Sequence, residues 1–269
     1  MSYKPTPRLK FRAAGDFPTL ASAGWIEDVS TITKFGRSTN VDNGVVTDIH
    51  DGANATTDLD IWVAPTAAVI HNIASTDGDD ASGGVGAKTI KIYGLTSWDT
   101  AEVSETISMN GATDVPTLAA YVIIHRMHVV TKGASGPNAG IITATTDNVA
   151  ATVTAQINIG EGQTQMAIFG IPSTQTLYVG RLYGNVNKSA GATGAVDVCF
   201  CYNPEPDVEL TKFLTKHTFG LMTTGTSALT INYAMPKKFA GPGILKINAS
   251  GSADNLDVSA GFDGYLVTD

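Results

Sequence analysis

An all-β fold follows from three features of this sequence. Its apolar runs are short and rich in Val, Ile, Thr and Tyr, each is bounded by Gly, Asn, Asp or Pro, and between Phe35 and Thr131 no run of helix length keeps a 3.6-residue period. Composition agrees, because 28 glycines among 269 residues with only 16% charged side chains suit many short strands joined by turns. A helical bundle or a dinucleotide-binding α/β enzyme would need long amphipathic segments that are missing here. The length accommodates one large β domain or two small ones with cores of their own. The expected architecture is two consecutive antiparallel β-sandwich, jelly-roll-like lobes, residues 35–150 and 151–269, behind an extended N-terminal arm, residues 1–34.

The arm is extended by Pro5, Pro7 and Pro18, with one short helical turn expected near Ala21–Asp28. Lys4, Arg8, Lys10 and Arg12 make it basic on an otherwise acidic chain, so it suits docking on an acidic neighbour, a frayed terminus being the plainer alternative. Deleting residues 1–34 is expected to leave a folded β protein. The first lobe opens with FGRSTNVDNG (Phe35 to Gly44) and passes through LDIWVAP, where Trp62 falls in the core. It then runs through AAVIHNIAS, the alternating KTIKIYG, VSETISMNG and AAYVIIHRMHVVT. Between two of these strands the loop DGDDASGGVGA is too rich in small polar residues to carry buried weight. Its carboxylates Asp77, Asp79 and Asp80 offer hard oxygens to Ca²⁺, but without EF-hand spacing and a distal Glu the loop reads first as a solvated turn. KGASGPNAG lacks the GK[ST] of a phosphate cradle and is a turn.

The small polar run DNVAAT, Asp147 to Thr152, marks the expected division. The second half then alternates again in VDVCFCY, Val196 to Tyr202, and in the closing Leu256 to Val267. A weak echo links the halves: SGGVGAKTIKIY and SAGATGAVDVCFCY both run from a Ser/Gly/Ala loop into an alternating strand ending at Tyr. Cys199 and Cys201 share one strand face, which is poor geometry for a disulfide, and with no second pair they read as small apolar residues.

The formal net charge of −8 speaks against nucleic acid as a partner. No apolar stretch has the length to span a bilayer as a helix, and the start has no apolar signal-peptide core, so neither a membrane nor the secretory route is expected and the sequon at Asn54 is idle. Among the five histidines His50, His71, His125, His128 and His217, the HRMH segment sends His125 and His128 to opposite faces of a strand, which prevents a shared metal ion. No nucleophile elbow, zinc-protease motif or nucleotide fingerprint is present, and no pair of carboxylates stands out as a glycosidase would require. No cofactor is expected. Trp98, in a turn, and Tyr93 are the aromatics placed to touch a glycan or a neighbouring subunit.

The pattern FGR-N-x-D-x-G, carried by Phe35, Gly36, Arg37, Asn40, Asp42 and Gly44, resembles a recurrent group of tailed-bacteriophage virion structural proteins, many from marine phages. The segment holding Glu105, Ile107, Met109, Asn110 and Gly111, and the line GEGQTQMAIFGIPSTQTLYV with Gln163, Ala167, Phe169, Pro172 and Tyr178, are similar to the same group. So are TKHTFGL and VSAGFDGYLV, and the likeness covers most of residues 35–269. Where that group commonly has a basic Arg-Pro dipeptide this chain reads Tyr202-Asn203-Pro204-Glu205, so no basic contact is carried over there. The resemblance implies a non-enzymatic virion component: a capsid decoration, vertex or tail-attached protein. The expectation built on it is a symmetric homo-oligomer, a trimer first, with other virion proteins as partners. A glycan-binding spike or fibre module is the alternative, and a polysaccharide hydrolase the least favoured.

Overall fold

The structure is a computed structural model that describes residues 17–50, 52, 61–147, 151–187 and 193–269. One short helix, α1 (Phe17–Ser22), precedes β1 (Val29–Val41), β2 (Thr47–Asp48), β3 (His71–Ser75), β4 (Ala87–Leu95), β5 (Val103–Ser108), β6 (Val115–Pro116), β7 (Ile123–Lys132), β8 (Ile142–Thr146) and β9 (Val153–Ile157). The later chain adds β10 (Ile168–Ile171), β11 (Gln175–Asn187), β12 (Ala195–Asn203), β13 (Leu214–Met222), β14 (Ala228–Ala240), β15 (Gly243–Gly251) and β16 (Leu256–Thr268). Strand makes up 57% and helix 3%, which bears out the all-β expectation. Every ladder between these strands is antiparallel.

The strands form four sheets, in the orders β1-β16-β11-β14, β10-β15-β12-β13 with β2 beside β15, β6-β3-β8-β9, and β5-β4-β7. They stand like four propeller blades and not as two plain jelly rolls. Burial follows the two-residue period: in β15 Ile247 and Ala249 are buried while Lys246 and Asn248 are only half so. One hydrophobic cluster lies between the first two sheets, where Phe200 meets Phe239 and Phe262, each at 5.5 Å between ring centres. A second lies between the other two, where Ile90, Ile92 and Met127 join Ile73, Ile142 and Ile157. Ile168 and Ile244 belong to this second cluster although their strands sit in the second sheet, so the two cores adjoin.

Three features differ from the sequence expectation. Residues 29–34, assigned to the arm, are strand, and β1 pairs along its length with β16, from Val29↔Val267 to Val41↔Leu256. The segment from Phe35 to Asp48 therefore shares its sheets with the chain's closing strands and does not open a separate first lobe; β2 likewise pairs with β15. Periodicity reports which face of a strand is buried, but it carries no address for the partner. Across the expected division β8 pairs with β9 in one sheet, and the Thr146 N–H donates to the Thr152 carbonyl at 2.9 Å. Residues 148–150 lie outside the described residues.

The motif glycine Gly36 has a steric reason. A Cβ there would stand 2.1 Å from the Ile49 carbonyl oxygen and 2.5 Å from the Ala167 nitrogen, so only Gly lets β1 cross at that height. Arg37 next to it forms a two-pronged pair with Asp257 on β16, both contacts at 2.9 Å, which locks the strand's register.

Candidate functional site

The outer face of the β5-β4-β7 sheet gathers cationic and aromatic side chains. In β7 His125 and Met127 turn inward while Arg126 is exposed and His128 half-buried, as the HRMH alternation predicts. Lys91 and Tyr93 on β4 stand opposite His128 and Arg126. The Tyr93 ring stacks on His128 with centres 5.6 Å apart and planes at 21°. Lys91 Nζ lies 5.0 Å and the Arg126 guanidinium carbon 5.5 Å from the Tyr93 ring centre. Burial, then the charges of Arg126 and Lys91, hold the His128 pKa below its usual value. Among the described residues neither Lys91 nor Arg126 forms an ion pair with a carboxylate. A positive face is therefore left unneutralised on a chain of net charge −8.

Arg126 also borders a cavity of about 230 Å³ lined by Thr33, Lys34, Phe35, Gln163 and Thr164. The wall made by the 163–164 segment is stitched to β7, with the Thr164 N–H donating to the Met127 carbonyl at 2.9 Å and the Met127 N–H to Thr164 Oγ1 at 3.2 Å. Lys34 is buried, and its ammonium donates to the His125 carbonyl. Burial first and the neighbouring Arg126 second bring its pKa down to about 7, against the opposing pull of Glu102. Behind it His125 Nε2 sits 2.6 Å from Glu102 Oε2 while its ring lies 4.7 Å from that of Phe169. Burial lowers the His125 pKa. Burial works to raise that of Glu102, but the His125 hydrogen bond and the cations around it carry it below the usual value. A neutral imidazole donating to an ionised carboxylate satisfies both directions, and it leaves His125 Nδ1 without a partner.

A separate buried ion pair joins β2 to β15, with Lys246 Nζ 2.7 Å from Asp48 Oδ1 and the Trp62 N–H donating to Asp48 Oδ2 at 3.0 Å. Burial raises the Asp48 pKa, opposed by Lys246 and the Trp62 N–H. His50 beside it is forced down to about 3 by burial and by the Lys246 charge. This cluster fastens β2 to β15 within the second sheet.

The sequence-expected site residues are scattered. Tyr93 lies on the cationic face, but Trp98 is half-buried against the second core, and its carbonyl accepts from the Ser173 N–H at 2.6 Å. Trp62 is in the core, with Nε1–H donating to the Thr154 carbonyl at 3.1 Å. The acidic loop corrects its expectation, because Asp80 is fully buried and its carboxylate takes four donors from the protein. Asp77 spends Oδ1 on the Asp79 N–H at 2.8 Å. No cluster of three or more His, Cys, Asp or Glu able to hold a metal occurs among the described residues. Cys201 is buried and Cys199 half-buried, both as free thiols on the outer side of β12. The arm residues Lys4, Arg8, Lys10 and Arg12 lie outside the described residues. Sequence reasoning missed Lys34, Glu102 and Arg126 as a group, although Lys34 directly precedes the FGR motif.

No family model matches this chain, and no curated protein does. Among solved structures it is similar to the mosquito-larvicidal Cry4Aa toxin from Bacillus thuringiensis, with 9% identity over 89% of this chain and 52% of the toxin chain, at a TM-score of 0.21. It thus spans about half of that toxin's length. It is also similar to the infectious bursal virus protein of T=1 particles, with 7% identity over 90% of this chain and 78% of that one, at a TM-score of 0.14. At such scores neither likeness bears on fold or function.

Proposed function

We propose that this chain is a non-enzymatic structural component of a tailed-bacteriophage virion, a capsid decoration, vertex or tail-attached protein that works through assembly contacts. The sequence resemblance supports this reading, and the residues that carry it have scaffold roles here: Gly36 lets β1 cross, Arg37 fixes its register, and Gly111 turns the chain with φ of +62°. The two hydrophobic clusters further support reading the four sheets as two facing, sandwich-like pairs.

The observation that carries the assembly role is the edge at β13 and β14, where no further strand pairs among the described residues. These strands are joined by a tight turn in which the Met222 N–H donates to the Thr226 carbonyl at 2.8 Å, and each is the last strand of its sheet. β14 runs for 13 residues, most of them exposed, with Met235 at 85%, and Met222, which closes β13 at the turn, is exposed to 51%. Long unpaired edges with apolar neighbours favour strand-to-strand association between copies. Light scattering coupled to gel filtration tests it. The full chain should run as a homo-oligomer, a trimer in this reading, and the pair Met222→Lys with Met235→Lys should shift it to monomer with unchanged circular dichroism. A wild-type chain that is monomeric at micromolar concentration, or a double variant that still assembles, would overturn the role given to this edge.

A further inference from the structure

We propose that the folded chain joins Lys246 to Asp48 through a side-chain amide, an isopeptide bond formed with loss of water, which locks β2 to β15 covalently. The bond is a property of this pair and holds whether or not the chain assembles into a particle.

Strand register brings the two side chains to one face. Asp48 pairs with Asn248 across the β2–β15 ladder, so Lys246, two residues back along β15, is its diagonal neighbour on the same side. That side is turned away from the first core: Ile247 and Ala249 point into the first cluster, whereas Ile168, the β10 partner of Lys246, belongs to the second. Lys246 Nζ stands 2.7 Å from Asp48 Oδ1, and the two side chains are only 14% and 4% exposed. The Phe213 ring, its centre 4.4 Å from Nζ, lies over the amine. The other ion pairs of the described residues each lack a requirement. Arg37 and Arg181 bring guanidinium and His125 an imidazole, while the amine of Lys212 and its partner Glu205 lie in open solvent.

A dry site favours the neutral product. Two charges withdrawn from water carry a desolvation cost that an amide does not. Burial raises the Asp48 pKa, which assists transfer of one ammonium proton from Nζ to Oδ1. The amine so freed attacks Cγ, and the carbonyl electron pair moves onto Oδ2, where the Trp62 N–H at 3.0 Å receives the developing charge. Nζ then gives a second proton to Oδ1, the Cγ–Oδ1 bond breaks, and Oδ1 leaves as water while the electron pair on Oδ2 restores the carbonyl. One ammonium and one carboxylate become one amide and one water, with no oxidant or further reactant. The neighbouring groups add no competing charge, since burial keeps His50 neutral and keeps the thiol of Cys201, opposite Lys246 on β12, protonated.

Mass spectrometry of the full chain tests this after the folded protein has been incubated at neutral pH and then denatured. Most molecules should be lighter than the sequence by one water, and proteolysis should release a branched peptide in which Asp48 is joined to Lys246. Lys246→Arg keeps a cation beside Asp48 but has no amine to react, so it should carry the full sequence mass with an unchanged circular dichroism spectrum. Asp51, Asp77 and Asp263 each precede glycine and can lose water as cyclic imides, which mild base reopens while leaving the amide intact. A wild-type chain that keeps its full mass after prolonged incubation, a lost water that base restores or that maps to one of those Asp-Gly steps, or a Lys246→Arg variant still one water light would each overturn the bond. Should that variant not fold, the wild-type digest decides: a branched peptide joining positions 48 and 246 supports the bond, and its absence overturns it.

Discussion

Asp80 shows how one side chain can hold a loop that looks featureless in sequence. Its Oδ1 accepts from the N–H groups of Ala87 and Ala139 at 2.6 and 2.8 Å, and its Oδ2 from Ser75 Oγ and the Gly140 N–H at 2.6 and 2.8 Å. Two donors on each oxygen tie the loop between β3 and β4 to the loop between β7 and β8, with no lone pair in reserve for a metal. Burial works to raise the Asp80 pKa, yet these four bonds hold it below the usual carboxylate range. Asp80→Ala would leave three backbone donors and a hydroxyl unsatisfied in a dry site, so urea denaturation should register a loss of ~3–5 kcal/mol. Calcium or a chelator should leave the melting temperature of the wild-type chain unchanged. A calcium-dependent rise would return the loop to metal binding.

At the scale of elements, β1 decides where the fold starts. Its first six residues, Val29 to Lys34, pair with Val267 back to Phe262, and α1 packs its Phe17 ring 4.8 Å from that of Tyr265 on the same sheet. Two truncations, one beginning at Phe17 and one at Phe35, test this. Removing residues 1–34 strips half of an edge strand, the helix and Lys34 with it, and should lower the melting temperature by at least ~5 °C. Calorimetric scans of the two truncations compare them directly. Equal melting for both would show that β1 contributes little before Phe35. The extended-arm expectation failed at these residues because prolines and scattered charge describe only the segment up to Pro18, whereas VSTITK is β-prone and alternating.

The whole molecule keeps its histidines neutral by burying them. Burial drives His71 down to about 4, and burial with the Lys246 charge drives His50 to about 3; His125 is lowered by burial too. Once unfolded these groups titrate near 6.5, so below that pH the unfolded chain binds more protons and stability falls as the pH drops from about 6.5 through 4 toward 3. Each fully shifted histidine accounts for roughly 3–5 kcal/mol of that loss. Asp48, raised by burial, offsets part of it, since the folded state then takes up a proton before the unfolded one does. Urea midpoints should decline steadily between pH 6.5 and 4, and His71→Asn should flatten the slope. A midpoint constant over that range would contradict neutral burial.

The two-residue alternation and the turn residues were enough to determine an all-β antiparallel protein, the inward turn of His125 and Met127, the outward turn of Arg126 and the burial of Trp62. Those are local properties: side chains on a strand alternate whatever lies beside it, and a large indole in an apolar run has nowhere else to go. Only the tertiary structure decided that β1 closes against β16, that Asp80 sits at the centre of four donors, and that Lys34 meets Arg126 across a cavity. Each of these depends on residues tens to hundreds of positions apart being brought to one place, and strand pairing is chosen by competition among edges whose periodicity is the same everywhere along the chain.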